Sequence, residues 1–137
     1  MPTLQLKLAA PASEAVQAAL AEELTRLTAR VLGKREDLTA VMIETLPPGG
    51  WHIGGRVATQ ATAWLEIIIT AGTNSEAQKA AFIDAAHTAL RQHVAAGQGL
   101  AEASYVIVRE LPATDWGYGG RTQRARQLAR PATAAAL

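Results

Sequence analysis

Two stretches of this chain are versions of each other. Leu46, Pro47, Trp51, Gly54, Gly55 and Arg56 recur in order, at one constant offset of 65 residues, as Leu111, Pro112, Trp116, Gly119, Gly120 and Arg121. Six coincidences in register, one of them the rare Trp, mark an internal duplication. A duplicated chain of this length folds as two copies of one supersecondary unit whose cores are shared.

The residues before each copy define that unit. Ala40-Val-Met-Ile-Glu44 and Tyr105-Val-Ile-Val-Arg109 are rich in β-branched and other apolar residues and read as strands. Upstream of them, Val16, Leu20, Leu24, Leu27 and Val31 form one apolar helical stripe, and Phe82, Ile83, Ala86, Leu90 and Val94 form another. Ser75 and Gln78 have the spacing of a capping box at the start of the second helix. Further upstream, Leu4, Leu6 and Leu8 alternate with polar residues, and Trp64 to Thr70 is nearly continuous apolar strand. The order is β-α-β twice. A right-handed crossover makes the strands of each unit parallel, so an α+β fold follows: a four-stranded sheet with both helices on one face.

Two helices cover only one face. Yet Met42 and Ile43, Ile67 and Ile68, and Val106 and Ile107 are adjacent apolar pairs that put hydrophobic side chains on both. The uncovered face is therefore expected to be buried against other subunits. The repeats are placed at 2–60 and 61–121 of a single domain spanning 1–121, followed by a basic, Ala-rich tail over 122–137.

Composition bounds the chemistry. The 137 residues are 49% hydrophobic, enough for one core, and contain no Cys and three His, of which His87 and His93 are six apart on different helix faces; no metal or cofactor site is expected. A net charge of +1 argues against a nucleic-acid binder despite Arg121, Arg124, Arg126 and Arg130 near the end. No run of about 18 apolar residues and no signal-peptide pattern is present, which leads to an expectation of a cytoplasmic chain without membrane contact.

The tandem β-α-β unit, the Trp-x-x-Gly-Gly hairpin after each second strand, and Pro2 directly after Met1 resemble the 4-oxalocrotonate tautomerase family. The resemblance is closest to its fused members and covers residues 2 to about 121. It implies a tautomerase (MIF-like) fold assembled as a homotrimer with sheets facing inward. It also implies a cofactor-independent isomerase in which Pro2, once Met1 is removed, is the catalytic general base for enol–keto proton transfer on a small carbonyl or carboxylate substrate. A buried secondary amine is biased toward its neutral form, which lets it accept a proton near neutral pH.

The chain departs from the family at the substrate-holding positions. Where the isomerases carry arginines, Ala12 and Ala40 stand in the first repeat and Thr73 and Tyr105 in the second; no arginine occupies any of the four. Thr70 and Thr73 replace the arginine pair of the fused dehalogenases and hydratases, leaving Asp115 without companions, and Thr28 falls near a catalytic His position. Candidate substrate-binding residues are Arg109, Trp116, Tyr105, Asn74, Lys7 and Trp51. Trp116 is the aromatic wall expected beside Pro2, supplied by the second repeat. The alternatives are a non-catalytic trimeric binding module that keeps the fold, and a Pro-dependent hydratase or dehalogenase.

Overall fold

The computed structural model describes residues 2–47, 49–95 and 98–130. The first repeat is β1 (Thr3–Ala9), α1 (Glu14–Leu32), a 3-10 turn at Glu36–Leu38, β2 (Ala40–Thr45) and a small hairpin of β3 (His52–Ile53) and β4 (Arg56–Val57). The second is β5 (Thr62–Thr70), α2 (Glu76–Val94), β6 (Tyr105–Leu111) and a hairpin of β7 (Gly117–Tyr118) and β8 (Arg121–Thr122), followed by α3 (Gln123–Ala129). Residues 131–137 of the expected tail lie outside the described residues, as does Met1.

The four long strands form one mixed sheet in the order β2-β1-β5-β6. Within each repeat the strands are parallel, as the crossover requires, and the repeats join antiparallel through β1 and β5. Both helices pack together on one face. Leu4, Leu6 and Leu8 of β1 and Leu65, Ile67 and Ile69 of β5 point at that layer. They meet Leu20 and Leu24 of α1 and Phe82 and Leu90 of α2, all at most 1% exposed. Each such side chain stabilises the fold by roughly 1.5–3 kcal/mol. Ile83 is the exception to the expected stripe: at 40% exposure it turns outward, while Ala89, outside that stripe, faces the core at 1% exposure.

Helix ends are set locally. Ser13 and Ser75 accept hydrogen bonds from Val16 and Gln78 backbone N–H groups, and Gln78 Oε1 in turn accepts from Ser75 N, completing the capping box. Each hairpin turns on its Gly-Gly pair, with φ of 61° and 78° at Gly54-Gly55 and 60° and 77° at Gly119-Gly120. Two consecutive positive φ values are what a two-residue turn between right-twisted strands needs, so the repeated glycines are backbone devices.

The opposite face of the sheet carries Met42, 55% exposed, and Tyr105, 59% exposed, with Trp64, Ile68 and Ile107 between them. Gln5, Lys7, Glu44, Glu66 and Arg109 are interleaved on that same face, giving a mixed surface rather than a uniformly apolar one. Among the described residues no helix is long and apolar enough to cross a membrane.

Candidate active site

The strand directions give the sheet two distinct ends. Pro2, the start of β2, the ends of β5 and β6, the end of α1 and the start of α2 share one; the ends of β1 and β2, the start of β5 and the end of α2 share the other. Because the repeats are equivalent, each end is built from the same parts.

The far end holds an open cleft of about 650 Å³, a size suited to a small molecule. Ala9, Ala12, Trp51 and Ala58 are among its walls, and no charged side chain lines it. Trp51 O accepts from Ala58 N at 2.9 Å, closing the hairpin over the cleft.

At the Pro2 end the same places are filled with polar groups. The last residue of the strand is Thr70 in place of Ala9, the residue before the cap serine is Asn74 in place of Ala12, and Gln123 stands where Ala58 does. Gln123 N donates to Trp116 O at 2.9 Å, the same bond that Ala58 makes to Trp51. Thr70 Oγ1, Asn74 Oδ1, Trp116 Nε1 and both Gln123 amide atoms are buried without a hydrogen-bond partner. Only Arg126 adds another such atom among the described residues. Buried polar groups are almost always satisfied in proteins, so the occurrence of several unpartnered ones at one end of the sheet singles that end out as the candidate site.

Pro2 is itself buried, one step beyond the Thr3–Ile68 pair, with its carbonyl accepting from Ala40 N. Lys34 supplies positive charge at this end. The chain reverses at Gly33, the α1 C-cap with φ of 70°, and delivers Lys34 into the interior at 4% exposure. Its Nζ donates to Thr73 Oγ1 at 2.8 Å, and Thr73 Oγ1 donates to Thr70 O at 2.7 Å. Burial pushes the Lys34 ammonium down to about 8, against the opposing pull of the Glu110 carboxylate. Glu110 is held below the usual carboxylate range by its hydrogen bond with Lys79 and by Gly72 N–H at 3.0 Å.

Residues 2–61 match the tautomerase enzyme family. Native fused 4-OT is 29% identical over 90% of this chain and 97% of its own, with a TM-score of 0.79. The R7 fused 4-OT wild-type asymmetric trimer is 28% identical over 91% and 98%, with a TM-score of 0.80. Residues 2–61 thus carry the tautomerase sequence pattern, and the chain as a whole takes the fold of the fused 4-OT proteins. N1, a member of the cis-3-chloroacrylic acid dehalogenase family, shares the fold at 19% identity over 94% of this chain and 92% of its own, with a TM-score of 0.78. No curated protein matches the chain.

The structure brings together some of the residues expected from sequence and separates others. Pro2, Asn74 and Trp116 belong to one end of the sheet. Asn74 is also a structural link, its Nδ2 donating to Leu32 O and Gln78 Oε1, while Ser75 is the helix cap. Arg109 lies in the strand row nearest Pro2, on the sheet face turned away from the helices, and pairs with Glu66 at 2.8 Å rather than with Glu44 or Glu110. Lys7 and Tyr105 sit about five residues, roughly 16 Å, along the sheet from Pro2, on that same face. Lys7 lies 5.5 Å over the Trp64 ring. Trp51 is at the far end. Within one chain these last three are not part of the Pro2 site. Lys34, Thr70 and Gln123 were missed as site residues: a helix-terminal Lys, a strand-end Thr and a Gln after a turn carry no sequence signature of burial.

Proposed function

We propose that this chain is a cofactor-independent tautomerase in which Pro2, freed as a secondary amine by loss of Met1, moves a proton between the hydroxyl of an enol and the conjugated carbon. The neutral amine takes the enol O–H proton; the C=C electron pair then takes the proton back from the prolinium at carbon, leaving the ketone. Burial of Pro2 and the Lys34 ammonium at the same end both favour the uncharged amine.

The observation that carries this reading is the placement of a buried proline and a buried cation at the one sheet end where the unpartnered polar atoms lie. Lys34, Lys79 and Glu110 sum to one positive charge there, which suits a single substrate carboxylate. A monoanionic 2-oxo acid and its enol are the substrate class, in place of the dicarboxylates that the absent arginines would hold. Asp115, the acid a hydratase would need, is exposed on the hairpin and accepts from Thr114 Oγ1 at 2.7 Å, so the water-activating alternative gains no support.

The apolar part of the uncovered sheet face supports assembly as a homotrimer, as the R7 fused protein does. In such an assembly Tyr105, exposed on that face, serves the Pro2 site of a neighbouring protomer. The deciding experiment is intact mass followed by ketonisation of phenylenolpyruvate by wild type and Pro2→Ala. A chain lacking Met1 whose activity falls roughly 10²–10⁴-fold in the variant is the expected result. Retained Met1, or equal rates in both proteins, would overturn the reading and leave the non-catalytic binding module.

A further inference from the structure

We propose that the Gln123 carboxamide, together with the Trp116 indole N–H, is the group that binds the substrate's keto or enol oxygen and so selects 2-oxo acids over plain carboxylates. The choice of a carbonyl substrate rests on the tautomerase reading; the placement of Gln123 does not.

Gln123 is 0% exposed, and neither its Oε1 nor its Nε2 has a partner. A buried amide without hydrogen bonds is costly to keep unless something outside the chain satisfies it. Its position is fixed by the duplication. Ala58, its counterpart, lines the far cleft beside Trp51 and closes the hairpin through the same 2.9 Å backbone bond that Gln123 makes with Trp116. Gln123 therefore occupies the corresponding wall at the Pro2 end, where Trp116 Nε1 is also buried and unpartnered. Where the far cleft carries the Ala58 methyl, the Pro2 end carries a carboxamide able to recognise an oxygen.

The two groups suit the two tautomers. A carboxamide both donates and accepts, so Gln123 can donate from Nε2 to a ketone oxygen or accept an enol hydroxyl at Oε1, and Trp116 Nε1 donates to either oxygen. The carboxylate falls to Lys34, so a 2-oxo acid is held at two points and a simple acid at one.

Binding of phenylpyruvate and of 3-phenylpropanoate, which lacks the keto oxygen, tests this directly. Titration calorimetry on the Pro2→Ala background removes turnover. The Pro2→Ala chain is expected to prefer phenylpyruvate by about tenfold or more, because the probe without the oxygen leaves buried polar groups unpaired. Adding Gln123→Met should bring that ratio to near one with unchanged affinity for 3-phenylpropanoate and a Tm equal to or above the parent. Trp116→Phe should lower the ratio by roughly threefold. Equal preference in parent and Gln123→Met, no preference in the parent, or a loss of both affinities together with a lowered Tm would each overturn the assignment. Activity surviving in Pro2→Ala would instead sink the proline mechanism while leaving the binding ratio to decide the role of Gln123.

Discussion

The Lys34 ammonium meets the Thr73 hydroxyl at 2.8 Å, joining the segment beyond the α1 cap to the loop before α2 at the end of the sheet where Pro2 is buried. The contact brings a cation of the first repeat into a wall of the second, where the family arginines are missing.

Lys34 should set the alkaline limb of activity. Its ammonium titrates at about 8, so kcat/KM for an anionic substrate is expected to fall as pH rises through that value. In Lys34→Arg, which stays charged, the limb should move well above pH 9; in Lys34→Met, KM should rise at least tenfold and the limb should vanish. A pH–rate profile identical in all three proteins would remove Lys34 from substrate binding.

The same group makes a stability prediction with a definite sign. Its folded pKa of about 8 lies below the ordinary 10.5, so between those values the unfolded chain holds more protons and stability rises with pH. Below pH 8 the penalty is constant, on the order of 3 kcal/mol at most. Lys34→Met is expected to be more stable than wild type at pH 7, with the difference shrinking toward pH 10. Chemical denaturation at pH 7 and pH 10 measures both.

Glu110 works in the opposite direction. Its carboxyl is held below the usual range by Lys79 and Gly72 N–H, so its contribution is present above the unfolded value and is lost as pH falls through the folded one. Glu110→Gln should destabilise by about 1–2 kcal/mol at neutral pH and by less in acid. It should also move the alkaline limb of activity below 8, because the carboxylate that raises the Lys34 value is gone. A limb that stays in place would show that the two charges are not coupled.

The two tryptophans should behave unequally despite identical settings in the repeat. Trp116→Ala is expected to reduce kcat/KM for phenylenolpyruvate by 10-fold or more, and Trp51→Ala to leave it within about twofold, since Trp51 lines the far cleft. Comparable losses in both would mean that the far end takes part in the reaction.

Met42 tests assembly. It is 55% exposed on the edge strand β2, on the sheet face that the helices leave open. Met42→Asp should shift the sedimenting species from the proposed trimer to smaller forms and lower activity with it, as the proposed service of Tyr105 to a neighbouring chain's Pro2 site requires. An intact trimer in this variant would place the interface elsewhere.

The order of elements, the shared helix face and the hairpins were legible because they follow from periodicity: alternation at Leu4, Leu6 and Leu8, a four-three rhythm at Leu20, Leu24 and Leu27, and turn glycines at fixed spacing. Of the candidate residues that the fold gathers at the Pro2 end, Pro2 and Trp116 were legible from a family pattern and Asn74 as a donor beside a helix start. Arg109 drew attention by its charge, but its strand parity puts it on the face opposite the helices, beside Glu66. Lys34 and Gln123 escaped notice because burial of a polar residue is decided by what packs around it. A Lys after a helix and a Gln after a turn are ordinarily solvated.

One bond at the far end shows what separates the halves. Ala63 occupies the place in β5 that Pro2 occupies beside β1, and its N–H donates to Ser104 Oγ at 3.1 Å. The same point of the duplicated scaffold is thus an interior peptide in one copy and, under the proposed loss of Met1, a free amine in the other. With Pro2 as the proposed base, fusing two such units leaves one basic amine between them. The second hollow is thereby released from proton transfer and is free to accept side chains that the first could not tolerate.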